Sequence, residues 1–172
     1  RIVFTVASEE KTKKLIQAQK RHMHIGVPGH GIVIAVPIKS VGGGKTVAFL
    51  NGETDNAAYT PSLNYAHELI VAVCSQGCTD MVMNAARAAG ARGGTVLHGK
   101  GTGANGAPKF YNITIAQEKE MILIVAAASQ KTAIMQSILK KAGPDSKAGT
   151  IVFSLPTTQV AGFALLDNQD ET

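Results

Sequence analysis

The sequence contains no tryptophan, and aromatic residues fill only 5% of its 172 positions. Basic residues are not interleaved with aromatic ones, the pattern by which single-stranded nucleic acid is gripped, so no nucleic-acid partner is expected. Cysteine is also scarce. Cys74 and Cys78 are the only two, spaced C-x3-C. A disulfide framework needs more cysteines and a secreted setting, and a structural zinc site needs two further close ligands. The two thiols therefore read as reduced, with Cys74 at a strand end and Cys78 at a helix start. No apolar run approaches the roughly 18 residues of a spanning helix, so no membrane insertion is expected. The opening RIVFTVASEEKTKK lacks the layout of a secretory signal. The cytoplasm is the expected compartment. Arg1 already lies inside an apolar run where a natural start would carry methionine, so residues upstream are expected.

Hydrophobic residues make up 45% of the sequence and charged residues 17%, a globular balance. The net charge is +5. Residues 1–50 hold eight Lys and Arg against Glu9 and Glu10. Lys11, Lys13, Lys14, Lys20 and Arg21 fit the solvated face of one helix, which accounts for most of that excess. The run Gly42-Gly43-Gly44-Lys45-Thr46 ends like a phosphate loop. That motif needs a glycine five places before its second glycine. Lys39 stands there, and the match fails.

Along the chain, residues 1–7 read as a strand. Ser8 reads as an N-cap, with Glu9 and Glu10 in the first helical turn. The helix that follows carries Leu15, Ile16 and Ala18 inward. His22 and His24 fall near its end, where positive charge suits the helix dipole. Residues 31–37 read as a buried strand ended by Pro37. Residues 44–66 are a connection rich in turn signals.

A fuller unit begins at His67. Residues 68–74 are a strand, and a helix from Cys78 or Thr79 turns Val82, Ala85, Ala86 and Ala89 to one side. Residues 95–98 are the next strand. Residues 109–117 alternate apolar and polar. Residues 117–120, QEKE, read as a turn or a strand edge, with Glu118 and Glu120 on an exposed edge. Residues 121–128 are a strand, and 129–142 a helix with Ile134, Met135, Ile138 and Leu139 inward. Residues 150–156 are the last strand, and 167–172 form an acidic, loose end.

One pattern is used twice. RIVFTVA matches MILIVAA, Lys11-Thr12 matches Lys131-Thr132, and GIVIAVPIKSVGG matches TIVFSLPTTQVAG. Pro37 falls on Pro156 and Val41 on Val160, with one residue of slip between the blocks. The second copy is preceded by strand, helix, strand. Its whole order is β-α-β-β-α-β, the α+β ferredoxin-like split motif, with a four-stranded antiparallel sheet and helices on one face. The expected layout is a partial repeat over 1–43, a linker over 44–66, a full repeat over 67–163 and a tail over 164–172.

The stretch from Gly90 to Gly106 holds seven glycines in seventeen residues. Its loop Gly99-Lys100-Gly101-Thr102-Gly103 offers backbone N–H groups, an ammonium and a hydroxyl, the tools for holding an anion.

The blocks ARGGTVLHGKGTG, QEKEMILIVAA and GTIVFSLPTTQVAG resemble the nitrogen regulatory P-II-like proteins, in the form where two such domains share one chain. The resemblance covers most of residues 1–43 and 67–163. It implies a cytoplasmic, non-catalytic signalling protein that assembles as trimeric rings and regulates a partner protein. It also implies a small anionic effector between neighbouring domains, with ATP or ADP as the nucleotide and 2-oxoglutarate beside it. By position, the resemblance makes Gly99, Lys100, Gly101, Thr102 and Gly103 the base of a loop that contacts the partner, here shortened to about residues 100–110. Lys147, Gly149 and Thr150 fall in the second phosphate loop, and Gly29, His30 and Gly31 in its first-copy counterpart. Thr150 stands where the family carries a lysine, and the paired arginines after the last strand are absent.

Two other readings use the same residues. A metal-tolerance trimer like the CutA group would rest on His67, Cys74, Cys78 and His98. An enzyme would need a nucleophile with a base, and Ser129, Ser154 and His98 supply no such pair. No metal site and no catalytic residue are therefore assigned.

Overall fold

Ile70, Ala72 and Cys74 alternate along one segment, and Ile122, Ile124 and Ala126 along another; all six lie in one buried cluster. That period of two builds a sheet with one face turned to a core. A computed structural model describes residues 2–27, 29–38, 62–101, 109–110, 113–114 and 117–162. In chain order the elements are α1 (Glu9–His22), β1 (Val33–Ala35), β2 (Asn64–Ser75), α2 (Thr79–Arg87) and β3 (Thr95–Gly101). They continue with β4 (Lys109–Phe110), β5 (Ile113–Thr114), β6 (Gln117–Ala127), α3 (Ala128–Ala142), β7 (Ile151–Thr157) and β8 (Gln159–Ala161).

The four long strands form one sheet in the order β3-β6-β2-β7. β6 is antiparallel to β2, with Ile70 opposite Ile124, and antiparallel to β3, with Val96 opposite Ile122. β2-α2-β3-β6-α3-β7 is the expected ferredoxin-like order. The small antiparallel pair β4-β5 lies between β3 and β6 in sequence. One face of the sheet is covered by α2, through Val82, Met83, Ala85 and Ala86, and by α3, through Ile134, Ile138 and Ala142. The helices lock together through Ser137, whose hydroxyl donates to the Ala85 carbonyl at 2.7 Å. Lys131 of α3 reaches Glu68 of β2 at 2.7 Å. Burial alone would raise the Glu68 pKa, but the bonds from Lys131 and Ser154 reverse this and hold it below its ordinary value.

The opposite face has Leu69, Val71 and Val125 buried. Val152 packs with the helices, so alternation turns Ile151 and Phe153 the other way. Met121, Ile151 and Phe153 are exposed there.

The chain divides into two compact units, one of Arg1–Asn64 with Thr157–Thr172 and one of Tyr65–Pro156. In the first unit, Ser8 caps α1 by accepting from the Lys11 N–H at 3.4 Å, and Glu9 and Glu10 occupy the first turn. Glu10 sits below its ordinary pKa, chiefly through its bond from Lys14. β1 pairs antiparallel with β8, Ile34 opposite Val160, and Ile16, Ile25 and Ala161 form a small core.

Several expectations are corrected. Residues 2–8 form no strand, and Val3 and Phe4 are 77% and 80% exposed. A β-rich run needs a ladder partner, and propensity alone does not supply one. The strand expected over 31–37 shortens to β1, and its three residues are only half-buried. Ile16 turns inward as expected, but Leu15 and Ala18 do not; on α3, Leu139 is exposed while Ile134 and Ile138 are buried. The buried stripe is narrower than the apolar pattern. Residues 117–120 are a full part of β6. Within the alternating run over 109–117, Lys109–Phe110 and Ile113–Thr114 pair with each other as β4 and β5.

Candidate functional site

Gly99 and Gly101 end β3, directly across from Lys119 and Gln117 at the start of β6. This register draws a ladder of polar groups to one end of the sheet. Lys100 lies 3.5 Å from Glu118, with both side chains largely exposed. His98 Nδ1 lies 3.7 Å from Glu120 Oε1. Lys119 projects to the other face, where its ammonium donates to Ser75 Oγ at 3.3 Å. Its stem crosses Gly101 closely: a Cβ on Gly101 would sit 2.9 Å from Lys119 Cγ. Gly99 differs, since a Cβ there would meet nothing within 4 Å. Its backbone is open to an approaching ligand.

The turn from β2 into α2 is the hub of this end. The Gln76 N–H donates to the Glu118 carbonyl at 3.3 Å, and the Ser75 N–H to the Ala148 carbonyl at 2.9 Å. Cys78 Sγ lies 3.9 Å from the Lys147 carbonyl. The turn thereby joins the base of the β3–β6 connection to the loop between α3 and β7. In that loop Ser146 donates to the Gly143 carbonyl at 2.8 Å and accepts from the Ala148 N–H at 3.1 Å. Gly149 takes φ +54°, and Lys147 is exposed.

A helix N-terminus is an anion site by nature. At α2 the protein fills it with its own carboxylate. Cys78 makes no side-chain cap. Glu120 Oε2 instead accepts from Thr79 Oγ1 at 2.6 Å and from the Thr79 N–H at 3.2 Å. The Thr79 hydroxyl is the main cause of a Glu120 pKa held below the usual carboxylate value; burial opposes it, while the Gly77 and Thr79 N–H groups and then His98 assist. Glu120 is 6% exposed. This corrects the expectation of an exposed edge, because register carries it under the α2 terminus.

Of the residues singled out in the sequence, Gly99, Lys100 and Gly101 lie on β3, and Lys147 and Gly149 on the loop joined to it through the β2–α2 turn. Thr102 and Gly103 lie outside the described residues. Thr150 is fully buried, and its hydroxyl has no hydrogen-bond partner among the described residues; it forms core wall rather than loop surface. Gly29, His30 and Gly31 lie in the other unit, between α1 and β1. Sequence reasoning missed Ser75, Lys119 and Glu120. The available signal was the hairpin register, which sets Lys119 opposite Gly99.

Both cysteines are free and buried, with Cys74 near the end of β2 and Cys78 at the start of α2 as expected. Burial, aided by Glu120, pushes the Cys74 thiol up to about 11, so it is no nucleophile at neutral pH. Among the described residues no group of three or more His, Cys, Asp or Glu is placed to hold a metal ion. His67 pairs with Ala127 and Cys74 with Glu120 along β2. Seven residues of strand separate them by roughly 23 Å, so they cannot share an ion. No helix among the described residues is long and apolar enough to cross a membrane.

Residues 67–163 match the family model described as nitrogen regulatory protein P-II. No curated protein matches significantly. Among solved structures, one that is similar is the crystal structure of Arabidopsis thaliana PII bound to citrate. It is 22% identical with a TM-score of 0.40, over 53% of this chain and 77% of that one.

Proposed function

This chain belongs to the nitrogen regulatory P-II family, and from that premise we propose that its glycine-lined sheet end receives a small anionic effector and passes the signal to a partner protein. P-II proteins are regulators rather than enzymes, and they bind small effectors and regulatory partners. The observation that carries the proposal is the open backbone of Gly99 between two lysines, Lys100 next to it on β3 and Lys119 opposite it on β6. Lys147 sits on the α3–β7 loop, whose backbone meets the β2–α2 turn at Cys78. With Glu120 already on the α2 terminus, an incoming anion is directed to these lysines instead.

The effector class is an adenine nucleotide, ATP or ADP, held between neighbouring domains by Gly99, Lys100, Gly101, Thr102, Gly103, Lys147 and Gly149. Gly29, His30 and Gly31 are the counterpart in the partial repeat over residues 1–43, and the full repeat spans 67–163. The loop from about Lys100 to Phe110 contacts the partner, in the cytoplasm. Isothermal titration with ATP, ADP and AMP tests the effector. Heat is expected with at least one nucleotide, and Lys119→Ala should weaken it tenfold or more. No heat with all three removes the nucleotide and leaves the partner role standing.

The assembly proposed is a ring of three chains. Its support is the apolar second sheet face, where Met121, Ile151 and Phe153 are exposed to water and association would cover them. Sedimentation equilibrium should return three times the chain mass, and Phe153→Glu should return a single chain. A wild-type mass of one chain would overturn the ring.

A further inference from the structure

Three of the five histidines in the sequence fall within nine residues: His22, His24 and His30. α1 ends at His22, and Met23 caps it with its N–H on the Gln19 carbonyl. His24 then takes φ +52°, the only described non-glycine residue at positive φ. The left-handed region is a common conformation just past the end of a helix, and histidine enters it more readily than most residues with a Cβ. Its effect here is to bring the His24 ring beside His30, with centroids 6.2 Å apart and ring planes at 71°. Both residues are exposed.

His30 Nδ1 lies 3.2 Å from the Met23 carbonyl oxygen. A carbonyl only accepts, so Nδ1 is the nitrogen that carries the proton. In the neutral ring Nε2 keeps its lone pair. An N–H fixed on a backbone carbonyl, with the other nitrogen free, is the arrangement that orients metal-ligating histidines. The last carbonyls of α1 add partial negative charge at the same place.

A simpler role for this cluster is positive charge at a helix C-terminus. One imidazole would serve that role, and it gives no reason for a second ring held edge-on beside the first. Two adjacent rings, one with its Nδ1–H fixed on a carbonyl, offer a pair of imidazole nitrogens to a shared cation. An imidazole nitrogen binds a transition metal at about 2.0–2.1 Å, so two rings on one ion have centroids roughly 5–6 Å apart. The observed 6.2 Å is close to that spacing, and both side chains are exposed.

We propose that His24 and His30 form a two-imidazole site for a divalent transition metal ion, His30 binding through Nε2. Imidazole ligands and the affinity order of these ions make Cu²⁺ the tightest and Zn²⁺ a weaker occupant. No third His, Cys, Asp or Glu completes the group among the described residues, so water fills the remaining positions. Lys20 and Arg21 in the last turn of α1 are exposed, where solvent and salt screen their charge. The site lies in the unit apart from the glycine-lined sheet end, and it stands whether or not an effector binds there.

The test uses the full, untagged chain. Cu²⁺ at a tenth of an equivalent should broaden the imidazole resonances of His24 and His30 in long-range ¹H–¹⁵N spectra and leave those of His67 and His98 sharp. Titration with Zn²⁺ should give one equivalent, weakened at least tenfold by His30→Ala and by His24→Asn. Asparagine tolerates positive φ, so the second variant removes the imidazole and keeps the turn. His22→Ala should change the affinity less than threefold. Affinity within twofold of wild type in both His24→Asn and His30→Ala would overturn the site, as would equal broadening of His67 and His98.

Discussion

Ile122→Ala is expected to lower the unfolding free energy by about 2–5 kcal/mol and the thermal midpoint by on the order of 10–30 °C. The size of the effect follows from position. Ile122 sits on β6, one of the two interior strands, opposite Ala72 of β2 and Val96 of β3. It is fully buried in the cluster shared with α2 and α3. Its neighbours belong to three strands and two helices, so no single element can relax into the cavity. Leu139→Ala removes a larger side chain than methyl from the outer face of α3, where Leu139 is 45% exposed, and should cost less than about 1 kcal/mol by the area bookkeeping for partly exposed side chains. Urea titrations followed by far-UV circular dichroism would compare the two. Equal midpoint shifts would mean that the core is not where the sheet places it.

The two variants also mark what the sequence makes legible. The period of two in Ile122 and Ile124, and the small-residue face of Val82, Ala85 and Ala86, identify the sheet and the helix that covers it. The order β-α-β-β-α-β follows from those patterns and from the turns between them. Patterns fail where the outcome depends on a partner. Leu15 and Leu139 lie on apolar stripes, but the width of the stripe that is buried depends on what packs against it. Residues 2–8 have the composition of a strand, yet a strand exists only as half of a ladder. The charges of QEKE read as solvent-facing because nothing nearby in sequence can bury them. Their true neighbours come from registers with β2 and β3, and Thr79 lies 41 residues before Glu120. The candidate site divides the same way. Its glycines are visible as composition, whereas Lys119 and Ser75 become part of it only through pairing across the sheet.

Glu120 carries the second large expectation, because its carboxylate replaces the side-chain cap that Cys78 does not provide. Glu120→Ala leaves the Thr79 N–H and hydroxyl without their acceptor in a mostly buried place. The cost should be about 2–3 kcal/mol, the range for losing hydrogen bonds to a buried charged group. Glu120→Gln keeps the shape and one acceptor oxygen, and should lose less. The pH dependence separates this account from simple packing. The folded-state pKa of Glu120 is held below its unfolded value. Its contribution is therefore fully present above the unfolded carboxylate pKa of about 4.3 and is lost as the pH falls through the lower folded value. Wild type and Glu120→Gln should thus differ most near neutral pH and converge in acid. Urea midpoints of both proteins across that range would report the convergence, and amide exchange at Thr79 should speed up in the variants at neutral pH. A gap that stays constant from neutral pH to acid would show that the side chain acts through its volume and not through its charge. The same measurement bears on effector binding. With Glu120 removed, the α2 terminus is freed for an outside anion, so phosphate should then protect Thr79 from exchange in Glu120→Ala and not in wild type.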